Sequence, residues 1–343
     1  MKKARKNTIK GIAEQLNVSV TTVSFVLNGK AKENKISDEM IKKVQAYVKE
    51  INYKPNQLAQ SLRTGKSKII VFMVEDISNL FFASIARIVE DLAYDKGYKV
   101  IFCSNENKPK RSKELISLFK ERQVDGYIIS PSPDIEEDIQ SLLDEKIPVV
   151  LFDRYFPGLK TNYVVIDNEI ASYNGTRHLN DNGYKKIGFI TIDTEQNQMH
   201  SRLIGYQKAM LENNLEPKIL KVSFEKNTQQ DKKVLIKEFI GNNNLDAVYF
   251  STNYLTQSGL EVLNENYPKL LNKIGILTFD DHDFFKIHTP SISAIAQPKR
   301  EIAENLMRIM LQLLKKSNKE MPLEQVVLKT QLNPRQSSNR ERK

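Results

Sequence analysis

Two groups of residues in this chain of 343 have types and spacing suited to binding. The first consists of polar residues that each follow a short apolar run: Asp76-Ile77-Ser78-Asn79, Ser130-Pro131-Ser132, Asp153-Arg154, Asp193-Thr194, Asn253-Tyr254 and Asp280-Asp281. Carboxylates, carboxamides and a guanidinium pair with hydroxyls, and the rings of Phe81, Phe82, Tyr155, Tyr254 and Phe279 suit the apolar faces of a pyranose. Sugar binding is the chemistry this set offers, with a capping or loop role the equal alternative for any one residue. The second group is Ser19, Val20, Thr21, Ser24 and Phe25. Short polar and methyl-bearing side chains of this kind match the phosphates, base edges and thymine methyls of a DNA major groove.

The second group needs a helix to display it, and the sequence supplies one. Thr8 is a good N-cap, and Ile9, Ile12, Ala13 and Leu16 follow at helical spacing. Asn17 tolerates the left-handed conformation that a tight turn requires. Ser19 caps a second short helix that stops at Asn28-Gly29, with Val23, Val26 and Leu27 as its buried stripe. Two such helices joined by about three residues make a helix-turn-helix. A third helix begins at Ser37, favoured by Asp38 and Glu39 in its first turn, and covers the pair with Ile41, Val44, Val48 and Ile51.

Charge agrees with that assignment. Residues 1–68 hold fifteen Lys/Arg against five Asp/Glu, a surplus of ten that equals the net charge of the whole chain, +10. A cationic front piece joined to a neutral body points to a polyanion partner. After Tyr53, the run Pro55–Gly65 allows a helix of about two turns capped by Asn56. So short a helix is marginal alone and needs a partner, most simply its copy in a dimer on DNA. Leu62 on such a helix is either an apolar wedge for a minor-groove base step or a packing residue against the next domain.

From Lys68 onward, short apolar strands alternate with amphipathic stretches. The strands are Ile69–Val74, Val100–Phe102, Tyr127–Ile129, Pro148–Phe152, Ile187–Ile190, Ala247–Phe250 and Ile274–Leu277. Such alternation predicts doubly wound parallel sheets, and its length predicts two lobes with a break near Tyr163–Asn168. Ligands of these sheets lie beyond the carboxyl ends of the strands, where the first group of polar residues sits.

The strings TIKGIAEQLNVSVTTVSFVLNGK and KPNQLAQSLR resemble the DNA-binding headpiece and hinge helix of the lactose-repressor (LacI/GalR) family of bacterial transcription regulators. The resemblance continues through DISNLFFASI, VDGYIISPS, PVVLFDR, RLIGYQKAM and LTFDD, similar to the family's effector-binding part and to periplasmic sugar-binding proteins. It implies a recognition helix containing Ser19, Val20, Thr21, Thr22 and Ser24, and an intercalating Leu62. Thr8, Phe25 and Asn28 around the first site, with Asn56, Ala59 and Arg63 around Leu62, complete the expected DNA contacts. Phe25 stands where the family usually places a base-reading Arg, and Gly11 replaces the usual acidic residue of the first helix. For the effector, motif matching puts Arg202 and Asp280 first. Ser78, Phe81, Phe82, Asp153, Asn253 and Gln297 follow, and Ser130 and Arg154 join them. Tyr254 replaces the family's usual Asp after Asn253.

The implied fold is an all-α helix-turn-helix headpiece (1–54) and hinge helix (55–66), then an α/β periplasmic-binding-protein-like body of two doubly wound parallel-sheet lobes (67–332), with a fraying tail (333–343). The implied function is a sequence-specific regulator, a repressor by resemblance. It would act as a homodimer on a pseudo-palindromic double-stranded DNA operator, under a small-molecule effector of carbohydrate type. The competing reading is a small-molecule sensor whose basic head holds nucleic acid without sequence preference. Catalysis is not expected, because the chain has no Walker A run, no G-x-S-x-G elbow and no dinucleotide fingerprint. No cofactor or metal is expected either: one cysteine, Cys103, and the scattered His178, His200, His282 and His288 make no ligand set. The lone cysteine fits a reducing cytoplasm, and neither a secretory signal nor a membrane span is expected.

Overall fold

The computed structural model describes residues 8–53, 65–223, 228–315 and 322–340. The chain divides into two compact units, Met1–Ser67 and Lys68–Lys343.

The first unit contains α1 (Ile9–Leu16), α2 (Val20–Leu27) and α3 (Asp38–Glu50). Each starts at the hydroxyl the sequence puts there. Thr8 Oγ1 accepts from Gly11 N at 3.0 Å, Ser19 Oγ from Thr22 N at 3.0 Å and Ser37 Oγ from Met40 N at 3.3 Å. Each bond satisfies one of the amides that a helix start leaves without a partner. Asn17 turns the chain between α1 and α2 with φ 52° and ψ 49°. Ile12, Val23 and Val44, one from each helix, are fully buried, and Leu16, Val26 and Ala31 surround them. The expected hinge helix, with Asn56, Ala59, Leu62 and Arg63, lies outside the described residues.

The second unit is built from two six-stranded sheets. The first lobe runs β1 (Ile69–Val74), α4 (Leu80–Tyr94), β2 (Lys99–Ser104), α5 (Pro109–Glu121), β3 (Gly126–Ile129), α6 (Glu136–Asp144), β4 (Val149–Phe152) and β5 (Asn162–Ile166). The second begins with α7 (Asn168–Asp181), β6 (Ile187–Ile192), α8 (Asn197–Glu212), β7 (Lys218–Val222), α9 (Gln229–Asn242) and β8 (Ala247–Phe250). It continues through α10 (Asn253–Asn266), α11 (Pro268–Leu271), β9 (Gly275–Phe279), α12 (Asp283–Ile287) and β10 (Ser293–Ala296). The remaining elements are α13 (Lys299–Lys315), β11 (Gln325–Leu328), β12 (Gln331–Asn333) and a 3-10 turn at Gln336–Ser338. The sheet orders are β11-β5-β4-β3-β1-β2 and β12-β10-β9-β8-β6-β7, the same winding twice. Every pairing is parallel except β10 with β12. Helices cover both faces, which is why β3, β4, β8 and β9 are buried along their whole length and read as unbroken apolar runs.

The chain changes lobe near Asp167, as the sequence suggests, and then crosses twice more. After β10 it returns to the first lobe, where α13 packs on α4 and β11 pairs with β5. It then crosses again into β12. These crossings are tied together: Thr330 N donates to Asp167 Oδ1 at 2.9 Å, and Asp167 N donates to Leu328 O at 3.0 Å.

The expectation of a fraying tail from residue 333 is corrected for the residues described. Asn333 pairs in β12, and Ser337 and Ser338 are buried, with Ser337 Oγ donating to Ile276 O at 2.6 Å. Arg335 forks onto the Asp281 carboxylate, at 2.9 Å and 2.5 Å, and Asn333 Nδ2 adds a third donor at 2.8 Å. Polar composition suggested solvent; these side chains instead serve buried partners of the second lobe.

Candidate functional site

In the first unit, Val20, Thr21, Ser24, Phe25 and Asn28 fall at helical spacing opposite the buried Val23 and Val26. All five are exposed or half-exposed, and Val20 is left 47% exposed with no packing reason for an apolar residue there. Two hydroxyls of this helix already have partners. Thr22 Oγ1 lies 2.8 Å from Ser19 Oγ, and Ser24 Oγ accepts from Asn28 Nδ2 at 3.2 Å. Asn28 Nδ2 also donates to Ser24 O at 2.7 Å, so this side chain closes the helix end. Thr8, also exposed, presents its cap at the start of α1.

In the second unit, each lobe places one aspartate at the end of its fourth strand, in the left-handed conformation: Asp153 with φ 66° and Asp280 with φ 71°. Asp153 N donates to Val164 O and Asp280 N to Ile295 O, the matching carbonyls of the next strand in each sheet. An L-residue rarely adopts such a φ, so both turns are set by the same tight strand exit. Around Asp153, buried Arg154 spends its guanidinium on four acceptors. Its Nε reaches Ser130 Oγ at 3.1 Å and Asp153 Oδ2 at 3.2 Å, Nη1 reaches Asn107 Oδ1 at 2.8 Å, and Nη2 reaches Glu75 Oε2 at 2.9 Å. Around Asp280, Gln297 Nε2 donates to Oδ1 at 2.6 Å. Arg202, also buried, donates from Nε to Asn168 Oδ1 at 2.8 Å and from Nη1 to Ser251 O at 2.7 Å, with its guanidinium 3.6 Å over the Phe279 ring.

The two sets face one another. Burial pushes the Asp153 carboxyl up, the Arg154 and Arg202 guanidinium groups oppose that rise, and the Glu75 and Asp280 charges add to it. Burial likewise pushes the Tyr254 phenol up, with the Glu75 charge next in effect. Three carboxylates therefore converge with two guanidinium groups: Arg154 commits all three of its nitrogens to the protein, whereas Arg202 commits Nε and Nη1. Two hydrogen bonds close the lobes over this centre. Asn253 Nδ2 donates to Asn79 Oδ1 at 3.0 Å, and Gln196 Nε2 donates to Asn107 Oδ1 at 3.2 Å. Gln198, itself buried, keeps an Oε1 with no hydrogen-bond partner among the described residues.

The other expected contacts divide. Ser130 is buried inside the Arg154 network. Ser78 is exposed, and its hydroxyl donates to Asp76 Oδ2 at 2.8 Å. Phe81 and Phe82 are both buried, and Phe82 meets Phe152 edge-on at 6.0 Å in the first-lobe core. Asp281 is taken by Arg335, so of the Asp-Asp pair only Asp280 is turned to the cleft centre. Among the described residues no three His, Cys, Asp or Glu side chains are placed to hold a metal ion, and no helix is long and apolar enough to cross a membrane.

Residues 8–56 match the model for bacterial regulatory proteins of the lacI family, and residues 176–338 match that for a periplasmic binding protein-like domain. The HTH-type transcriptional regulator RegA of Clostridium saccharobutylicum is 30% identical over 336 residues, spanning 96% of this chain and 99% of RegA. The chain belongs to the lacI family. As a lacI-family protein it is a DNA-binding transcriptional regulator with an effector-binding body. Its fold is shared by the lac repressor dimer bound to operator and the anti-inducer ONPF, at TM-score 0.82 and 20% identity over 96% of this chain and 98% of that one. The transcriptional regulator CelR in complex with cellobiose also shares it, at TM-score 0.67 and 21% identity over 96% and 99%.

Sequence reading missed Glu75, Asn107, Gln196 and Gln198 as cleft residues of this lacI-family protein. Glu75 directly follows the last residue of β1 and carried a usable signal, being the first polar residue after an apolar run. Asn107 sits with φ 55° in the turn after β2, and Gln196 and Gln198 flank the start of α8. Nothing in their immediate sequence marks them.

Proposed function

We propose that this regulator binds a roughly palindromic operator as a homodimer and that a carbohydrate held between its lobes sets its DNA affinity. In this reading α2 enters the major groove, with Ser19, Val20, Thr21, Thr22, Ser24 and Phe25 near the bases and Thr8 and Asn28 near phosphates. Asn56, Ala59, Leu62 and Arg63 act at the minor groove, and two-fold DNA calls for a two-fold protein. Arg202, Asp280, Asp153, Asn253 and Gln297 are the effector contacts, with Ser78, Phe81 and Phe82 beside them and Arg154 and Ser130 holding Asp153. Closing the lobes on ligand moves the first-lobe faces that meet in the dimer. The short hinge helices then pair or separate, and operator affinity changes by that coupling free energy.

One observation carries the carbohydrate reading: Asp153 and Asp280 stand as matched left-handed acceptors at the fourth-strand exits of two lobes that the Asn253–Asn79 hydrogen bond draws together at 3.0 Å. Hydroxyl-rich ligands satisfy such a centre, since carboxylates accept and guanidinium groups donate. The test is competition of selected operator against scrambled duplex at fixed salt, with a parallel thermal-shift screen of sugars. Preference for the operator by 10³-fold or more and a sugar-dependent rise in melting temperature are expected. Equal binding of both duplexes contradicts the DNA reading, and a flat screen contradicts the carbohydrate reading.

A further inference from the structure

A cavity of 840 Å³ lies between the lobes, displaced to one side of the Arg202 and Asp280 centre. On the second-lobe side, α10 presents Gln257, Leu260, Glu261 and Asn264 to it, positions spaced for a single helix face. On the first-lobe side, Asp76, Ser78 and Leu80 form the wall. Glu75 and Tyr254 line the cavity too, while Glu75 is hydrogen-bonded to Arg154 and Tyr254 lies in the field of Arg154 and Arg202. The cavity and the polar centre therefore meet at Glu75, which lines the one and is bonded to Arg154 in the other.

The lining repeats the chemistry of the centre. Carboxamides and carboxylates alternate with apolar surface, and Leu80 and Phe284 are 60% and 49% exposed. Volumes of about 300–1,000 Å³ enclose a drug-sized ligand, so this chamber alone exceeds the needs of one sugar ring held at Arg202 and Asp280. Glu75 is paired with Arg154, Glu261 with Lys233, and Asp76 balances Lys232, so the lining is near neutral and has no cationic cluster to hold a phosphate or carboxylate. We propose that this chamber is a second saccharide subsite, so that the effector is an uncharged oligosaccharide of at least two units. The proposal rests on the carbohydrate reading of the cleft and adds its length and charge.

Calorimetric titration of the full-length protein tests it. The probes are glucose, galactose and xylose with disaccharides built from them, including cellobiose, maltose, lactose and xylobiose. At least one disaccharide is expected to bind tenfold or more tightly than either of its monosaccharides. Asn264→Trp, which fills the chamber from an exposed helix position, is expected to remove that gain while monosaccharide affinity stays within twofold. Gln257→Leu, which keeps the volume and deletes a polar partner, is expected to lose part of it. A disaccharide no tighter than its monosaccharide, or Asn264→Trp and Gln257→Leu variants that retain the full gain, overturns the second subsite alone. Binding of no saccharide in the panel overturns the carbohydrate reading beneath it.

Discussion

Asn253 Nδ2 stands 3.0 Å from Asn79 Oδ1, and the two residues belong to different lobes. The donor sense of this contact is fixed by its neighbours. Asn79 caps α4 by accepting from Phe81 N at 3.0 Å, so its Oδ1 must point toward Asn253 as an acceptor. Asn253 must then offer its Nδ2, which also lies 2.7 Å from His282 Nε2. That ring nitrogen has to accept, so His282 is neutral and protonated on Nδ1 whenever the bridge is made.

Closure should accordingly depend on pH. Burial lowers the His282 pKa; the Asp280 charge opposes this, Lys299 adds to the lowering, and Asp281 and Asp283 oppose it. A depressed value in the closed form means the bridge contributes fully above the ordinary value of about 6.5 and is lost as pH falls through the depressed one. Small-angle scattering of ligand-free protein should show a larger radius of gyration at low pH than at pH 7.5, with a loss of about 1 kcal/mol of closing energy. His282→Gln, whose side chain does not titrate, should flatten the profile. An unchanged pH dependence in that variant would show that another group governs closure.

Gly205 sets the seat of Arg202. A Cβ there would lie 2.2 Å from Glu169 O and 2.8 Å from Tyr173 N, both backbone atoms of α7, so neither can give way cheaply. Because α8 rests directly on α7 at this point, Arg202, one turn earlier, reaches Asn168 at the start of α7. Gly205→Ala should cost about 3 kcal/mol in urea unfolding, at the upper end for overpacking. A loss well under ~1 kcal/mol would mean the two helices separate without penalty.

Arg335→Ala should destabilise the second lobe by about 3 kcal/mol, because it strands the buried Asp281 carboxylate. Burial tends to raise the Asp281 pKa, yet hydrogen bonds from Arg335 and Asn333 hold it below its ordinary value. Thermal unfolding at neutral pH is the measurement. Wild-type stability in the variant would return the tail to the peripheral role that its composition suggested.

Arg202→Ala should abolish the calorimetric signal of a sugar effector, weakening binding by tenfold or more, while operator affinity without ligand stays near the wild-type value. The two hydrogen bonds to Asn168 and Ser251 orient the guanidinium, and its stacking on Phe279 keeps it flat at the cleft. Retained ligand binding would remove Arg202 from the site.

What the sequence makes legible here is mostly local. Thr8, Ser19 and Ser37 announce helix starts because a cap needs only its own next three residues. Central strands such as Tyr127–Ile129 and Ala247–Phe250 stand out because burial on both faces demands an unbroken apolar run. The edge strands β7, β11 and β12 escape, since exposed or half-exposed positions carry residues such as Lys218, Lys221, Gln325 and Gln331, and the short interior strands β5 and β10, opened by Asn162 and Ser293, escape as well. The site divides along the same line. Asp153 and Asp280 are visible as polar residues after apolar runs, whereas the Asn107–Gln196 and Asn79–Asn253 contacts join positions 89 and 174 residues apart. Only the winding of two sheets against each other brings those pairs together.

The most direct test of the account is operator affinity with and without saturating effector, at one salt concentration and with full-length protein. The account predicts a change of about tenfold or more in either direction, a coupling of roughly 1–3 kcal/mol, which disappears in the Arg202→Ala variant. An operator affinity that stays the same while the sugar demonstrably occupies the cleft would contradict it.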